Sequence, residues 1–155
     1  MVILEGDEHG FNEALARVLA NPNAKHVREL EAVEGREQDF AKVVTDSLSD
    51  MRVVSYSMHR EAALVCGVAY GIHRSALWMS ATHGGEKYPR WLLGAMRRRL
   101  RAGERYIGPG VILWQAIPTF YREGIHFVEH LGFRQIRVVK SPITGHDLVV
   151  VEKET

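Results

Sequence analysis

Three apolar runs joined by short polar connections fill the middle of the chain, and they limit its fold more than any other feature. Residues 52–58 (RVVSYSM), 61–70 (EAALVCGVAY) and 75–82 (SALWMSAT) have the length and residue types of strands. A tight HRE turn joins the first two, and GIHR leads from the second to the third. Such connections leave no room for a crossover, so the runs predict an antiparallel meander. The middle run is apolar nearly throughout, which suits a strand covered on both faces. Cys66 then reads as a buried small hydrophobe.

The pattern after the meander alternates. The loop HGGEKY at 83–88 leads into Pro89, a favoured first helical residue. The stretch PRWLLGAMRRRLRAG predicts a helix with Leu92, Leu93, Met96 and Leu100 as its core stripe. Arg90, Arg97, Arg98 and Arg101 fall mostly away from that stripe, and Gly103 is placed to end the helix in a left-handed conformation. GPG at 108–110 introduces a strand at 111–117 (VILWQAI). A helix is expected over roughly 119–130, with Phe120, Ile125, Phe127, Val128 and Leu131 as apolar positions and Gly132 as its stop. Residues 133–140 and 148–153 form a closing hairpin around SPITGHD. Strand, helix and strand from 75 to 117 predict a right-handed crossover between parallel strands.

The first fifty residues read as helical. Phe11, Leu15, Val18 and Leu19 have helical spacing, and NPN at 21–23 breaks that helix. Val27, Leu30, Phe40, Val43, Val44 and Leu48 mark a second helical pattern, interrupted at Gly35. VILE at 2–5 suits a short edge strand. The order is ααβββαβαββ, with that extra first strand as an option. The expected class is α+β, a three-layer arrangement of a mixed, mostly antiparallel sheet with helices on both faces. One domain is expected over 1–155, with 1–50 as a helical region and 51–155 as the core.

Composition narrows the partners. Hydrophobic residues are 46% and charged residues 25% of the 155, a soluble globular balance. No window holds the roughly 18 unbroken apolar residues of a membrane span, so no membrane partner is expected. The start MVILEGDEHG lacks a secretory pattern. A single cysteine forbids an internal disulfide and suits a reducing cytoplasm. Net charge is +1, so no global field asks for nucleic acid. Arginines nevertheless number fifteen against five lysines, and Arg97, Arg98, Arg99, Arg101 and Arg105 crowd one stretch. They suit phosphate by their planar forks, or form a solvated helix face.

The element order resembles that of the GNAT acetyltransferases, best from Arg52 to the C-terminus. The most specific local piece is HFVEHLGFR at 126–134, similar to the family's helix-to-strand junction ending in Leu-Gly-Phe. A narrower likeness joins LWMSATHGGEKYPRWLLGAMRRRL at 77–100 to GNAT-like proteins of short-tailed bacteriophages, an internal virion protein among them. This likeness implies a host-cell cytoplasmic or virion setting and a host protein as a partner. The superfamily likeness implies acetyl-CoA as ligand, and dimers are common within it.

The resemblance also implies a site. Acyl-CoA would enter a V-shaped gap between 75–82 and 111–117, reached by Ser80, Ala81 and Trp114. Its pyrophosphate would sit over Thr82 to Arg90, where Gly84 and Gly85 allow close backbone approach and Lys87 and Arg90 add charge beside Glu86. THGGEKYPR departs from the family loop, Gln/Arg-x-x-Gly-x-Gly/Ala, and Pro89 removes one amide from the cradle. The GG pair also has a plain reading as a flexible turn. The family's acid, a Tyr on the last helix, aligns with Val128, and its early asparagine falls near Tyr121. The strand at 75–82 carries no carboxylate for a base. Tyr121 remains as an acid, and His83, Glu123 or His126 as a base.

Other clusters are quieter. His126 and His130 have i,i+4 spacing beside Glu129, but a third ligand is not evident, so no metal is expected. His59 and His73 at strand turns read as solvent contacts. Trp78, Trp91 and Trp114 read as core or groove lining.

Overall fold

A computed structural model describes residues 1–22, 24–34, 40–71, 74–81 and 87–155, with backbone alone at Lys25, His26, Leu30, Glu34 and Ser80. The elements are β1 (Val2–Ile3), α1 (Glu8–Ala20), α2 (Ala24–Glu34), α3 (Phe40–Ser49), β2 (Val53–His59), β3 (Ala62–Ala69), β4 (Arg74–Ala81), α4 (Pro89–Ile107), β5 (Ile112–Pro118), α5 (Arg122–His130), β6 (Arg134–Lys140) and β7 (Asp147–Glu154). The seven strands form one sheet in the order β1-β2-β3-β4-β5-β7-β6. β2, β3 and β4 make the antiparallel meander, and β4 and β5 are parallel across the α4 crossover. The optional first strand is present and pairs parallel to β2.

Alternation along the strands separates two cores. Leu64, Cys66, Leu77, Leu113, Ile117, Val149 and Val151 face α4 and α5. Val54, Ala63, Val65 and Trp78 face the other way, with Phe11 and Val18 of α1 and Val44 and Leu48 of α3. β3 is buried along nearly its whole length, as its unbroken apolar run predicts. Cys66 is 5% exposed, and burial pushes its thiol up to about 12. A thiol held protonated in this way is no nucleophile at neutral pH.

Helix boundaries follow local chemistry. Asp7 caps α1 by accepting from the Gly10 amide at 2.7 Å, and α1 ends at Ala20, before Asn21-Pro22. Pro89 opens α4 as expected. Gly103 does not end it. The helix runs to Ile107 and stops at Gly108, whose φ is +89°. Gly103 therefore lies inside the helix, where the signal of a left-handed glycine was misplaced by one turn and more. The last helix begins at Arg122 rather than near 119, because Thr119 to Tyr121 form the turn out of β5.

Leu131-Gly132-Phe133 ends α5 in a Schellman arrangement. The Phe133 amide donates to the Val128 carbonyl at 3.1 Å and the Gly132 amide to Glu129 at 3.0 Å, with Gly132 at φ +99°. Phe133 then turns into the α4–α5 core, 3% exposed. Interruption of the second helical pattern at Gly35 lies outside the described residues.

The arginine stretch on α4 is not one face. Arg97, Arg98 and Arg101 are exposed, but the Arg99 side chain is only 11% exposed. Arg99 donates to Glu5 Oε2 at 2.8 Å and to Ser55 Oγ at 3.2 Å, and Arg105 reaches the same carboxylate at 3.2 Å. Arg99 and Arg105 thus tie the β1–α1 turn to α4. His59 also differs from the expectation of a solvent contact. It stacks on Trp91 with ring centroids 5.6 Å apart and meets Tyr88 edge-on at 5.1 Å, which fastens the β2–β3 turn to the entry of α4. His73 lies outside the described residues.

Candidate functional site

β4 and β5 are paired over three residues only, Arg74 with Ile112, Ser75 with Leu113 and Ala76 with Trp114. Both strands run on. β4 stays in register with β3 as far as Ala81, and β5 stays in register with β7 as far as Pro118. Each strand is held on its outer side while its inner side has no register partner in the other. A gap therefore opens past Ala76 and Trp114, bounded by Leu77–Ala81 and Gln115–Pro118. Backbone amides and carbonyls on such inner edges can pair with an extended amide-bearing ligand.

The side chains at the gap carry a second signal. Among the described residues, buried side-chain polar atoms without a hydrogen-bond partner occur on Arg74, Trp78, Arg99 and Gln115. Two of these four, Trp78 and Gln115, lie just past the β4–β5 ladder, whereas Arg74 stands at its closed end beside Glu152. Gln115 is the first β5 residue past the ladder, and its Oε1 is an orphaned acceptor on the α4–α5 face. Trp78 is the second β4 residue past the ladder, and its Nε1 is an orphaned donor on the opposite face. Leaving buried polar atoms unpaired costs about 1–3 kcal/mol each. A chain with its own amides, such as pantetheine, supplies both kinds of partner.

The entry of α4 lies next along the chain. Tyr88 occupies the cap position without a side-chain hydrogen bond to the first turn, so the leading amides are not satisfied by a capping side chain. Lys87 and Arg90 are exposed there. Glu61 stands across from them. Its carboxyl lies below the usual range, held there first by its own backbone amide and then by Lys87, the Tyr88 hydroxyl and Arg60. Thr82, His83, Gly84, Gly85 and Glu86 lie outside the described residues. Of Ser80 only the backbone is described, on β4 one residue before Ala81.

Of the described candidate acids and bases, Tyr121 lies nearest the end of β5, three residues past it. It is half-buried against the α4–α5 core, and its ring packs so closely on Gly124 that a Cβ there would lie 2.5 Å from it. Glu123 is exposed in the first turn of α5. The His126 side chain is 73% exposed, with Nδ1 3.7 Å from Glu129 Oε1. Val128, aligned with the family's tyrosine, is 2% exposed within the core. No group of three metal-ligating side chains occurs among the described residues. Trp114 closes the ladder, and the Arg74 guanidinium lies 5.4 Å above its ring.

Solved structures share this architecture. An acetyltransferase of the GNAT family from Bacillus anthracis superposes with a TM-score of 0.62 at 10% identity, covering 92% of this chain and 89% of that one. The aminoglycoside acetyltransferase AAC(6')-Ib, solved with ribostamycin and coenzyme A, gives 0.60 at 15% identity over 92% and 88%. The protein smu.2055 of Streptococcus mutans gives 0.59 at 11% over 92% and 94%. The chain has the GNAT fold. No protein-family model matches it, and no curated protein matches it.

The sequence reading leaves Trp78 as core or groove lining and singles out neither Arg74 nor Gln115 as ligand-facing. A signal did exist for Gln115, a lone amide inside the apolar run VILWQAI. Nothing local marks the orphaned Nε1 of Trp78, because it depends on where β5 departs from β4.

Proposed function

We propose that the chain binds acyl-CoA in the β4–β5 gap and transfers the acyl group to an amine, as an N-acetyltransferase of the GNAT superfamily. The observation that carries this reading is the short β4–β5 ladder with Gln115 and Trp78 unsatisfied just past its end. The inner edges of β4, including Ser80 and Ala81, and of β5 would hold the pantetheine arm beside Trp114. Lys87, Arg90 and the α4 amides, together with Thr82, Gly84, Gly85 and Glu86, would hold the phosphates. Bound acetyl-CoA supplies an activated acyl carbon. Tyr121 would give a proton to a departing thiolate, and Glu123, His126 or His83 would take one from the amine.

Acetyl transfer to a panel of amines tests the reading. Turnover is expected, and Tyr121→Phe should lower kcat by about 100-fold with KM for acetyl-CoA little changed. Turnover unaffected by Tyr121→Phe would remove Tyr121 from the mechanism.

A second reading rests on Val128. A core valine where the family places its acid suits a scaffold that binds acetyl-CoA without turning it over. Such a protein would act by docking on a host protein or in a virion, as the phage resemblance implies. Acetyl-CoA binding with no transfer to any amine, and a stoichiometric partner held with or without CoA, would favour it.

A further inference from the structure

The sheet face opposite α4 and α5 carries a groove that the reading above touches only at Trp114. Trp114 and Ala116 of β5 and Leu148 and Val150 of β7 form its floor, and Arg74 and Arg137 also line it. Strand order puts those two arginines on opposite flanks, on β4 and β6. The β6–β7 loop makes another wall, and it is built to stay in place. Ser141 Oγ accepts from the Ile143 and Thr144 amides at 3.3 and 3.2 Å, and Thr144 Oγ1 donates to the Ala32 carbonyl of α2.

The groove is cationic over an apolar floor. None of its described lining side chains is acidic. Lys140 at the rim is already paired with Asp147 at 2.9 Å. Arg74 pairs through a terminal nitrogen with Glu152 Oε1, and its buried Nε is left without a hydrogen-bond acceptor. Arg137 is exposed and has no ion-pair or hydrogen-bond partner among the described residues. Two guanidinium groups thus flank an aromatic and aliphatic surface, Arg137 unpaired among the described residues and Arg74 with its Nε to spare beside Glu152. Trp114 belongs both to this surface and to the last pair of the β4–β5 ladder, so the groove begins where the gap opens.

We infer that this groove is the acceptor site and that the acceptor is an amine bearing a free carboxylate and an apolar body, the chemistry of a hydrophobic amino acid. The inference rests on the transferase reading. A carboxylate matches guanidinium forks, which bind it through paired hydrogen bonds. Its apolar body covers Trp114, Leu148 and Val150. Arg137, which has no counter-ion among the described residues, disfavours polycationic amines. The cations also favour the neutral form of the bound amine, because like charge nearby disfavours protonation. That effect helps where β4 offers no carboxylate base. In the transfer the ammonium loses one proton to solvent. The nitrogen then bonds to the acyl carbon as the carbon–sulfur bond breaks, and its second proton ends on the thiol.

NMR titration of the full chain with L-phenylalanine, phenethylamine and spermidine tests this, with acetyl-CoA titrated into the same protein. Phenylalanine is expected to bind at least about tenfold tighter than phenethylamine, which lacks only the carboxylate, and tighter than spermidine. Arg137→Gln should remove most of that preference. Arg137 is exposed, so the substitution spares the core. Phenethylamine or spermidine binding as well as phenylalanine, a preference untouched by Arg137→Gln, or no binding of any of the three overturns the inference. If acetyl-CoA still binds in that case, the transferase reading stands without it. If acetyl-CoA does not bind, that reading falls, and with it the groove's role as an acceptor site.

Discussion

Phe133→Ala is expected to cost about 3–5 kcal/mol of folding stability, the range for truncating a buried aromatic side chain. Phe133 is 3% exposed and packs in one core with Val128 and Leu131 of the α5 end, Met96 and Leu100 of α4, and Val149 and Val151 of β7. Removing it leaves a void where helix, helix and sheet meet, and few neighbours can collapse into it. Thermal unfolding followed by circular dichroism should show the midpoint falling by about 10 °C or more. Gly132→Ala should cost less, about 1–2 kcal/mol, because it forces a Cβ into a left-handed backbone. That Cβ would also lie 2.9 Å from the end of the flexible Lys153 side chain. A Phe133→Ala midpoint within a few degrees of the parent would contradict the position given to Phe133 as the plug of this core.

The double charge reversal Lys87→Glu/Arg90→Glu is expected to weaken acetyl-CoA binding by about 10- to 100-fold. A charge-assisted hydrogen bond to phosphate is worth about 1.5–3 kcal/mol, and reversal adds repulsion. Both side chains are exposed, so the fold should survive. Calorimetry at low and high salt checks the effect. Parent affinity should fall as salt rises and screens the cations, and the variant should respond less or in the opposite sense. An unchanged dissociation constant would move the phosphates away from the α4 entry. The exposed Arg97, Arg98 and Arg101 would then be the next residues to reverse.

Much of this architecture was legible in the chain itself. The meander at 52–82, the Pro89 helix entry and the Leu131-Gly132-Phe133 exit are local patterns, and local patterns survive folding because backbone conformation enforces them. The parallel β4–β5 pair followed from handedness once a helix separated two strands. What escaped the sequence is long-range. Arg99 reads as one more exposed cation until Glu5, 94 positions away, is seen to hold it. His59 reads as a turn residue until Trp91 arrives to stack on it. Gly103 and Gly108 are both plausible helix ends, and packing of Ile107 against the α4–α5 core decides between them. For the site, element order located the gap. It could not show that Gln115 and Trp78 lack partners, since that depends on which strand pairs end early.

The claim beneath all of this is that the β4–β5 gap receives the pantetheine arm. Backbone amide NMR of the full chain, titrated with acetyl-CoA, tests it most directly. The account predicts saturable shifts in the amides of Leu77–Ala81 and Gln115–Ile117 and in the side chains of Gln115 and Trp78, with β6 and α1 little changed. Acetyl-CoA at millimolar concentration leaving those amides unmoved, or shifting only residues outside the gap, would contradict it.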